Sequence, residues 1–189
     1  MQVVYAEFRL PKQIKSQSID TNKSVYIAEP FEKGFGHTVG NALRRVLLTS
    51  IESYAIVALR FEGAPHEYTA VEGIIEDMTS IIINFKGVLL RKIPVEGQTS
   101  PRGVKKYTVQ LNVTNEMIQE GNGNYTVEVK DLFGDSEFDI INPNHKLFTV
   151  TQPMSRAIDF KIALGRGYCP SERIEILDPS FSEIVIDAA

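Results

Sequence analysis

The chain has 189 residues, 43% of them apolar, so it is long enough to bury one good core or two small ones. Its formal net charge of -4 argues against a general nucleic-acid clamp, because such binding depends on Lys and Arg neutralising phosphates. A single cysteine, Cys169, excludes an internal disulfide and a thiolate zinc cluster. The start of the chain lacks the plan of a secretion signal, and no stretch is apolar enough to span a membrane. We therefore expect a cytoplasmic protein with no membrane partner.

Short segments of alternating polarity predict strands along most of the chain. They are Val3–Leu10, Ser24–Glu29, Tyr54–Phe61, Val88–Ile93, Tyr107–Val113, Tyr125–Val129, Lys146–Val150, Ile158–Leu164 and Glu183–Asp187. Gly121-Asn122-Gly123-Asn124 lies between two of these segments and predicts a hairpin turn, since Gly and Asn accept positive φ. With two helical patterns and no internal repeat, the class we predict is α+β.

The first helical pattern follows Gly34-Phe35-Gly36-His37, and Thr38 is placed to cap a helix that begins at Val39. This helix has two faces. One is an apolar stripe at three- and four-residue steps, made of Val39, Ala42, Leu43, Val46, Leu47 and Ile51. The other carries Asn41, Arg44, Arg45 and Leu48 at the same spacing.

The second face sets a leucine one turn from a guanidinium, a composition that the centres of protein interfaces favour. A solvated face with one stray leucine is the alternative, and the helix by itself favours that alternative. Gly40, in the first turn, costs about 1 kcal/mol relative to alanine in a helix interior. Close approach of another backbone would explain the glycine at this position. A frayed first turn, in which the cost is smaller, would explain it as well.

The second helical pattern opens with Thr69-Ala70-Val71-Glu72, which has the form of a capping box. Apolar residues then keep helical period to Phe85, before Lys86 and Gly87 end the pattern. The predicted helix has about 17 residues and a length of about 26 Å. Its three consecutive isoleucines are also compatible with a strand.

No phosphate loop, zinc helix, nucleophile elbow or dinucleotide fingerprint occurs in the sequence. We therefore predict no catalytic residue, no metal site and no cofactor in this chain. Two alternatives remain open. One is a metal-dependent hydrolase that uses His37, His66 and the acidic loop from Asp131 to Asp139, and the other is a DNA-binding module at the basic loop near Lys105.

Four blocks of sequence identify a family resemblance. The first runs from Glu29 to Leu48 and includes Gly34-Phe35-Gly36-His37-Thr38 and Gly40-Asn41-Ala42-Leu43-Arg44-Arg45. The later blocks are His66-Glu67-Tyr68 with Glu72-Gly73 and Glu76-Asp77, then Asn84-Phe85-Lys86-Gly87, and finally Gly165-Arg166-Gly167-Tyr168 with Pro170. In order and spacing they closely resemble the N-terminal domain of the bacterial RNA polymerase alpha subunit. The match is weak between about Gln98 and Phe138.

The resemblance implies a non-catalytic assembly platform for transcription. Two alpha subunits pair, and the pair binds the beta and then the beta-prime subunit, so the chain belongs to an enzyme, a nucleotidyltransferase, only as part of the complex. Matching positions imply contacts to beta or beta-prime at His37, Asn41, Arg44, Arg45, Leu48, Lys86, Arg166 and Tyr168. The other face of the first helix, with Val39, Leu43, Val46 and Leu47, is expected to pack in the dimer.

The resemblance also implies a discontinuous fold. A dimerisation domain of strands and helices would comprise residues 1–52 and 174–189, with a mixed α/β domain of residues 53–173 inserted into it. The family continues into a final long helix, a linker and a DNA-reading domain, so we expect this chain to be truncated. Exposed apolar residues should then make it a weak, swapped or non-native dimer, and we expect no direct DNA contact from it.

Overall fold

The computed structural model describes residues 8–20, 23–92, 103–134, 137–174 and 183–188. The chain divides into two compact units, Met1–Ser50 and Ile51–Ala189. The predicted discontinuous division into a dimerisation domain and an inserted domain stays a prediction.

Among the residues that the structure describes, the first unit contains one antiparallel pair of strands and one helix. Strands β1 (Ile14–Asp20) and β2 (Lys23–Ala28) pair antiparallel, and helix α1 (Phe35–Thr49) follows. Every residue that the structure describes between positions 8 and 50 is exposed or half-buried. In this part of the chain, the apolar side chains therefore form no buried core among themselves.

Helix α1 begins earlier than the sequence pattern predicts. Gly34 occupies the N-cap position with φ +85°, and no side chain caps the helix, so the predicted cap at Thr38 is wrong. The left-handed backbone at Gly34 is open to glycine at little cost, and it turns the chain so that the Phe35 amide donates to the Glu32 carbonyl at 3.0 Å. The Phe35 ring then packs against Phe8 and Phe31, at centroid distances of 4.9 and 5.9 Å.

Within its described residues, the second unit combines two sheets with three short α-helices. Its elements in chain order are β3 (Glu52–Phe61), α2 (Met78–Lys86), β4 (Leu90–Lys92), β5 (Lys105–Val113), α3 (Asn115–Glu120), β6 (Tyr125–Glu128), α4 (Val129–Phe133), β7 (Phe138–Ile140), β8 (Lys146–Val150), β9 (Met154–Arg166) and β10 (Ile184–Val185). The larger sheet has the order β5-β9-β3-β4-β7, and β10 also pairs with β3. Strands β6 and β8 form a separate antiparallel pair. The predicted α+β class is confirmed.

The core of this unit lies between the larger sheet and α2. Phe61 and Phe160 contribute from the sheet, and Met78, Ile81 and Phe85 from the helix, all nearly inaccessible to solvent. Phe148 of β8 meets the ring of Phe61 edge to face at 5.6 Å. This packing fixes α2, and therefore Lys86 at its end, against the sheet.

Helix α2 has nine residues, and the prediction of a helix from Thr69 is wrong. Gly73 adopts φ +84°, a conformation that ends helical geometry, and Ile74 forms an isolated bridge with Val150. The Thr69 hydroxyl lies 3.1 Å from Nδ1 of His66 instead of capping a helix. Asp77 is the actual cap, since its carboxylate accepts from the Ser80 amide at 2.9 Å.

Most predicted strands are present. The predicted segment Lys146–Val150 coincides with β8, and the segments that correspond to β2, β3, β5, β6 and β9 overlap well. The segments that correspond to β4 and β10 are longer than the strands, and the sequence pattern missed β1, β7, α3 and α4. Most of the predicted strand Val3–Leu10 lies outside the described residues.

The predicted hairpin turn is present as a turn but joins other elements. Asn122 and Gly123 have φ +56° and +97°, as Asn-Gly turns require. This turn connects α3 to β6, whereas β5 pairs with β9 and β6 pairs with β8. The hairpin prediction is therefore wrong in its strand partners.

Candidate partner-binding surfaces

The first surface is one face of α1. Because the helix begins at Phe35, His37 lies within it. Five of the predicted contact residues then fall within an arc of about 100°, at about 100° per residue. They are His37, Asn41, Arg44, Arg45 and Leu48, and all five are exposed. The exposed fraction of Leu48 is 60%, so the leucine is not covered in this chain.

The opposite face of α1 carries the residues predicted to pack in a dimer. Leu43, Val46 and Leu47 are more than half exposed, and Val39 is half-buried. These four residues also span an arc of about 100°, centred roughly opposite the first. A Cβ atom at Gly40 would have no atom within 4 Å, so no close approach in the described part of the chain explains this glycine.

The second surface lies in the second unit, around Asp187. The Lys86 ammonium donates to Oδ1 of Asp187 at 2.7 Å, and both side chains are about one-third exposed. Tyr168, two-thirds exposed, is placed beside Asp187 by the antiparallel bridge between the next residues, Cys169 and Ala188. The hydrogen bond from Lys86, assisted by the Tyr168 hydroxyl, holds the pKa of Asp187 below its usual range. Two predicted contact residues from distant parts of the chain are thus neighbours of one carboxylate.

Arg166 is the third predicted contact residue of the second unit. It ends β9 opposite Glu52, the first residue of β3, and its Nε donates to Oε1 of Glu52 at 3.1 Å. Ser53, the next residue, lines a depression of about 120 Å³ whose wall includes Lys86 and Asp187. Arg166 itself is bonded to Glu52 and stands two residues before Tyr168 in the chain.

A larger depression, of about 390 Å³, also borders the Lys86–Asp187 pair. It is lined by the loop 65–68, the outer face of α2 and residues 183–187. Tyr68 and Ile83 are 79% and 62% exposed, and the Thr79 hydroxyl holds the loop by donating to the Glu67 carbonyl at 2.9 Å. Sequence reasoning assigned no role to Tyr68, Ile83 or Asp187, although the block His66-Glu67-Tyr68 had marked the loop.

The block Asn84-Phe85-Lys86-Gly87 is mainly structural. The Asn84 amide donates to the Leu147 carbonyl at 2.7 Å, and Phe85 is fully buried. A Cβ atom at Gly87 would come within 2.8 Å of Nε2 of His145, so a larger residue would displace that ring. Of the four side chains, that of Lys86 reaches the surface around Asp187.

Among the residues that the structure describes, no three His, Cys, Asp or Glu side chains lie close enough to hold a metal ion. The acidic loop of the hydrolase alternative includes Asp135, which lies outside those residues. His145 places its Nε2 2.9 Å from the Asn84 carbonyl, in a structural contact. No helix in the described ranges has both the length and the apolar character that crossing a membrane requires.

A family described as the RNA polymerase Rpb3/RpoA insert domain matches residues 57–189, and the chain belongs to this family. The matched residues all lie in the second unit. A relative from Protochlamydia amoebophila (strain UWE25), named DNA-directed RNA polymerase subunit alpha, is 50% identical over 191 residues, which cover 100% of this chain and 51% of the relative. The predicted resemblance to the polymerase alpha subunit is confirmed.

A second relative carries the same name and comes from Geobacter metallireducens (strain ATCC 53774 / DSM 7210 / GS-15). It is 36% identical over 161 residues, which cover 85% of this chain and 42% of the relative. The chain thus spans about half the length of the curated relatives it matches.

Proposed function

We propose that this chain is a non-catalytic assembly part of a bacterial RNA polymerase, in which it pairs with a second copy and binds the beta and beta-prime subunits. Nucleotidyl transfer would occur in those larger subunits, in the cytoplasm, and the proposal assigns no cofactor or metal to this chain. The observation that carries it is α1, whose two opposite faces are both exposed in a chain 50% identical to a polymerase alpha subunit.

The two faces of α1 suit two different partners. The stripe with Leu43, Val46 and Leu47 is purely apolar, as expected where a second copy of the same helix packs. The face with Arg44, Arg45 and Leu48 combines guanidinium groups with one leucine, and arginine is enriched in the energetic centres of interfaces between different proteins. We assign the first face to the dimer and the second, with His37 and Asn41, to the beta subunit.

The cluster of Lys86, Arg166 and Tyr168 supports a second contact with beta or beta-prime. These residues present two partly exposed cations and one exposed aromatic ring, and Tyr and Arg are both favoured at interfaces. We propose that residues 1–52 and 174–189 belong to the dimerisation domain, and that this cluster lies mainly on the inserted domain of residues 53–173.

The proposal predicts that Arg45→Ala and Leu48→Ala weaken capture of purified beta subunit. Each side chain is exposed on α1 and none of the described residues buries it, so its loss should leave the fold intact while removing about 2 kcal/mol of binding free energy. The measurement is a quantitative pull-down with tagged beta subunit, accompanied by circular dichroism of each variant.

Lys23→Ala, at an exposed position of β2, is the matched control and should bind as the unmodified chain does. Capture that is unchanged in both α1 variants, or lost equally in the control, would contradict the assignment of this face to beta.

A further inference from the structure

Asp187 lies beside two of the residues proposed to contact a partner. Lys86 lies 101 positions earlier in the chain and donates to Oδ1 of Asp187 at 2.7 Å. Tyr168 is brought next to the same carboxylate by the backbone pair of Cys169 and Ala188. Sequence reasoning gave Asp187 no role, because its partners are distant in the chain.

The backbone on both sides of Asp187 is fixed by hydrogen bonds. The Ile186 amide donates to the Val57 carbonyl of β3 at 2.8 Å. Ala188 and Cys169 exchange a pair of bonds at 2.8 and 2.9 Å, which joins this segment to the one that carries Tyr168. The carboxylate therefore projects from a backbone that is held on one side by the sheet and on the other by the 165–170 segment.

A fixed carboxylate matters most for Lys86. A lysine side chain has four rotatable bonds, and ordering it on binding costs up to about 2 kcal/mol of rotamer entropy. The ammonium has three donors, of which Asp187 takes one, and about one-third of the side chain stays exposed. Asp187 thus orders the ammonium before a partner arrives and leaves donors available to that partner.

We propose that Asp187 is a positioning residue that holds Lys86 and Tyr168 together in the orientation that a polymerase subunit binds. The inference rests on the proposed function, because it takes Lys86 and Tyr168 to face that subunit. Asp187 acts through these two side chains and makes no bond to the partner in this account.

The test measures binding of the 189-residue chain to purified beta and to purified beta-prime subunit, with Asp187→Asn as the main variant. We expect about a two- to fivefold weaker affinity, which is the range for one partly exposed ion pair. Asp187→Glu keeps the charge and should restore most of the affinity. Asp139→Asn breaks the exposed pair with Arg91 elsewhere in the same unit and should change nothing.

A second comparison distinguishes the loss of side-chain positioning by Asp187 from general damage to the fold. In a chain that already carries Lys86→Ala and Tyr168→Phe, Asp187→Asn should cause no further loss of affinity, because it has nothing left to position. A loss as large as in the otherwise unmodified chain, or an affinity of Asp187→Asn equal to that of Asp139→Asn, would overturn the inference.

Hydrogen exchange of the free chain tests the positioning role of Asp187 separately from the proposed function, because the measurement needs no binding partner. Asp187→Asn should speed exchange of the Cys169 and Ala188 amides by about two- to fivefold while β9 amides stay unchanged. If the unmodified chain binds neither the beta nor the beta-prime subunit, the proposed function and the partner role of Asp187 are both refuted. Unchanged exchange would overturn the positioning itself, whatever the binding result.

Discussion

Asp159 is a buried carboxylate on the strand between β5 and β3, with 4% of its surface exposed. It accepts from Thr108 Oγ1 at 2.7 Å and from Arg60 Nε at 2.8 Å, the residues directly opposite it on the two neighbouring strands. Lys106 lies 3.1 Å from the same carboxylate. One acidic side chain therefore ties three strands of the sheet together, and the charge can be buried because each of these neighbours pairs with it.

Replacement of Asp159 by alanine should lower the free energy of unfolding of the second unit by about 2 kcal/mol. The Thr108 hydroxyl loses its acceptor and two cations lose their buried partner, although Arg60 and Lys106 are exposed enough to regain water. Urea denaturation measures the change. Asp139→Ala removes an exposed pair and should cost less than about 0.5 kcal/mol, so equal effects in both variants would contradict this account.

Gly34, at the N-cap of α1, and Gly40, in its second turn, should respond in opposite directions to replacement by alanine. Gly40 has open space around its missing side chain, so Gly40→Ala should stabilise the helix by about 0.5–1 kcal/mol. Gly34 has φ +85°, so Gly34→Ala should destabilise the start of the helix by about 1 kcal/mol.

Hydrogen exchange of α1 amides measures both changes in the unbound chain. Slower exchange in Gly40→Ala combined with weaker capture of beta or weaker dimerisation would indicate that a partner backbone approaches this glycine. Faster exchange in Gly40→Ala would show that something in the chain crowds the position.

At the scale of elements, the loop before α2 is held to β8 by one carboxylate. Glu76 accepts from the Thr149 amide at 2.6 Å, from the Thr149 hydroxyl at 3.0 Å and from Lys146 at 2.8 Å. Burial by itself would raise the pKa of Glu76, but the hydrogen bonds from Lys146 and Thr149 outweigh it, and the net pKa lies below the usual value. These bonds hold the loop in place without the helix that the sequence pattern predicts.

The lowered pKa of Glu76 makes a prediction about acid stability. A carboxylate whose pKa is lower in the folded state contributes stability above its unfolded pKa, and that contribution is lost as pH falls through the folded value. The chain should therefore lose stability below about pH 4.5, the ordinary value for this group. Glu76→Gln should be less stable near neutral pH and should lose less on acidification. Urea denaturation at several pH values tests this, and parallel stability curves for the two proteins would contradict it.

The predicted start of α2 at Thr69 is wrong for a reason that concerns whole elements. Val71 and Ile74 face the core, as their helical spacing suggests, but they reach it from a loop that bridges to β8. Periodicity reports which residues are buried, and two backbone paths can bury the same residues. The cap at Asp77 and the positive φ of Gly73 favour the loop over the helix as the backbone path. In the sequence, the apolar pattern is the stronger signal, and it predicts a helix.

At the scale of the whole molecule, the exposed apolar stripe of α1 predicts weak self-association of the 189-residue chain. A helix of 15 residues is about 22 Å long and about 10 Å wide, so its one apolar face covers much less than the roughly 1,600 Å² of a stable interface. Sedimentation should therefore show a dimer that dissociates on dilution. Leu47→Glu should abolish it without unfolding the helix, since Leu47 is 61% exposed.

A tight dimer at micromolar concentration would contradict this prediction, as would a Leu47→Glu variant that associates as strongly as the unmodified chain. Lys23→Ala, on β2, serves again as the matched control. A dimer that Leu47→Glu abolishes would support the assignment of the Leu43, Val46 and Leu47 face to contact with a second copy of the chain.

Features that depend on neighbouring residues can be predicted from the sequence. Alternation gave the same bounds for β8 as the structure and close bounds for β3, and helical spacing separated the Arg45 face of α1 from the Leu47 face, because both periods are properties of a local backbone. Tertiary structure alone decided where α2 begins, why Asp159 is buried, and that Lys86 meets Tyr168 at Asp187. These features join residues up to 101 positions apart. Such contacts form when packing of the whole sheet offsets the entropy lost in closing long loops. A local sequence pattern does not show whether that condition is met.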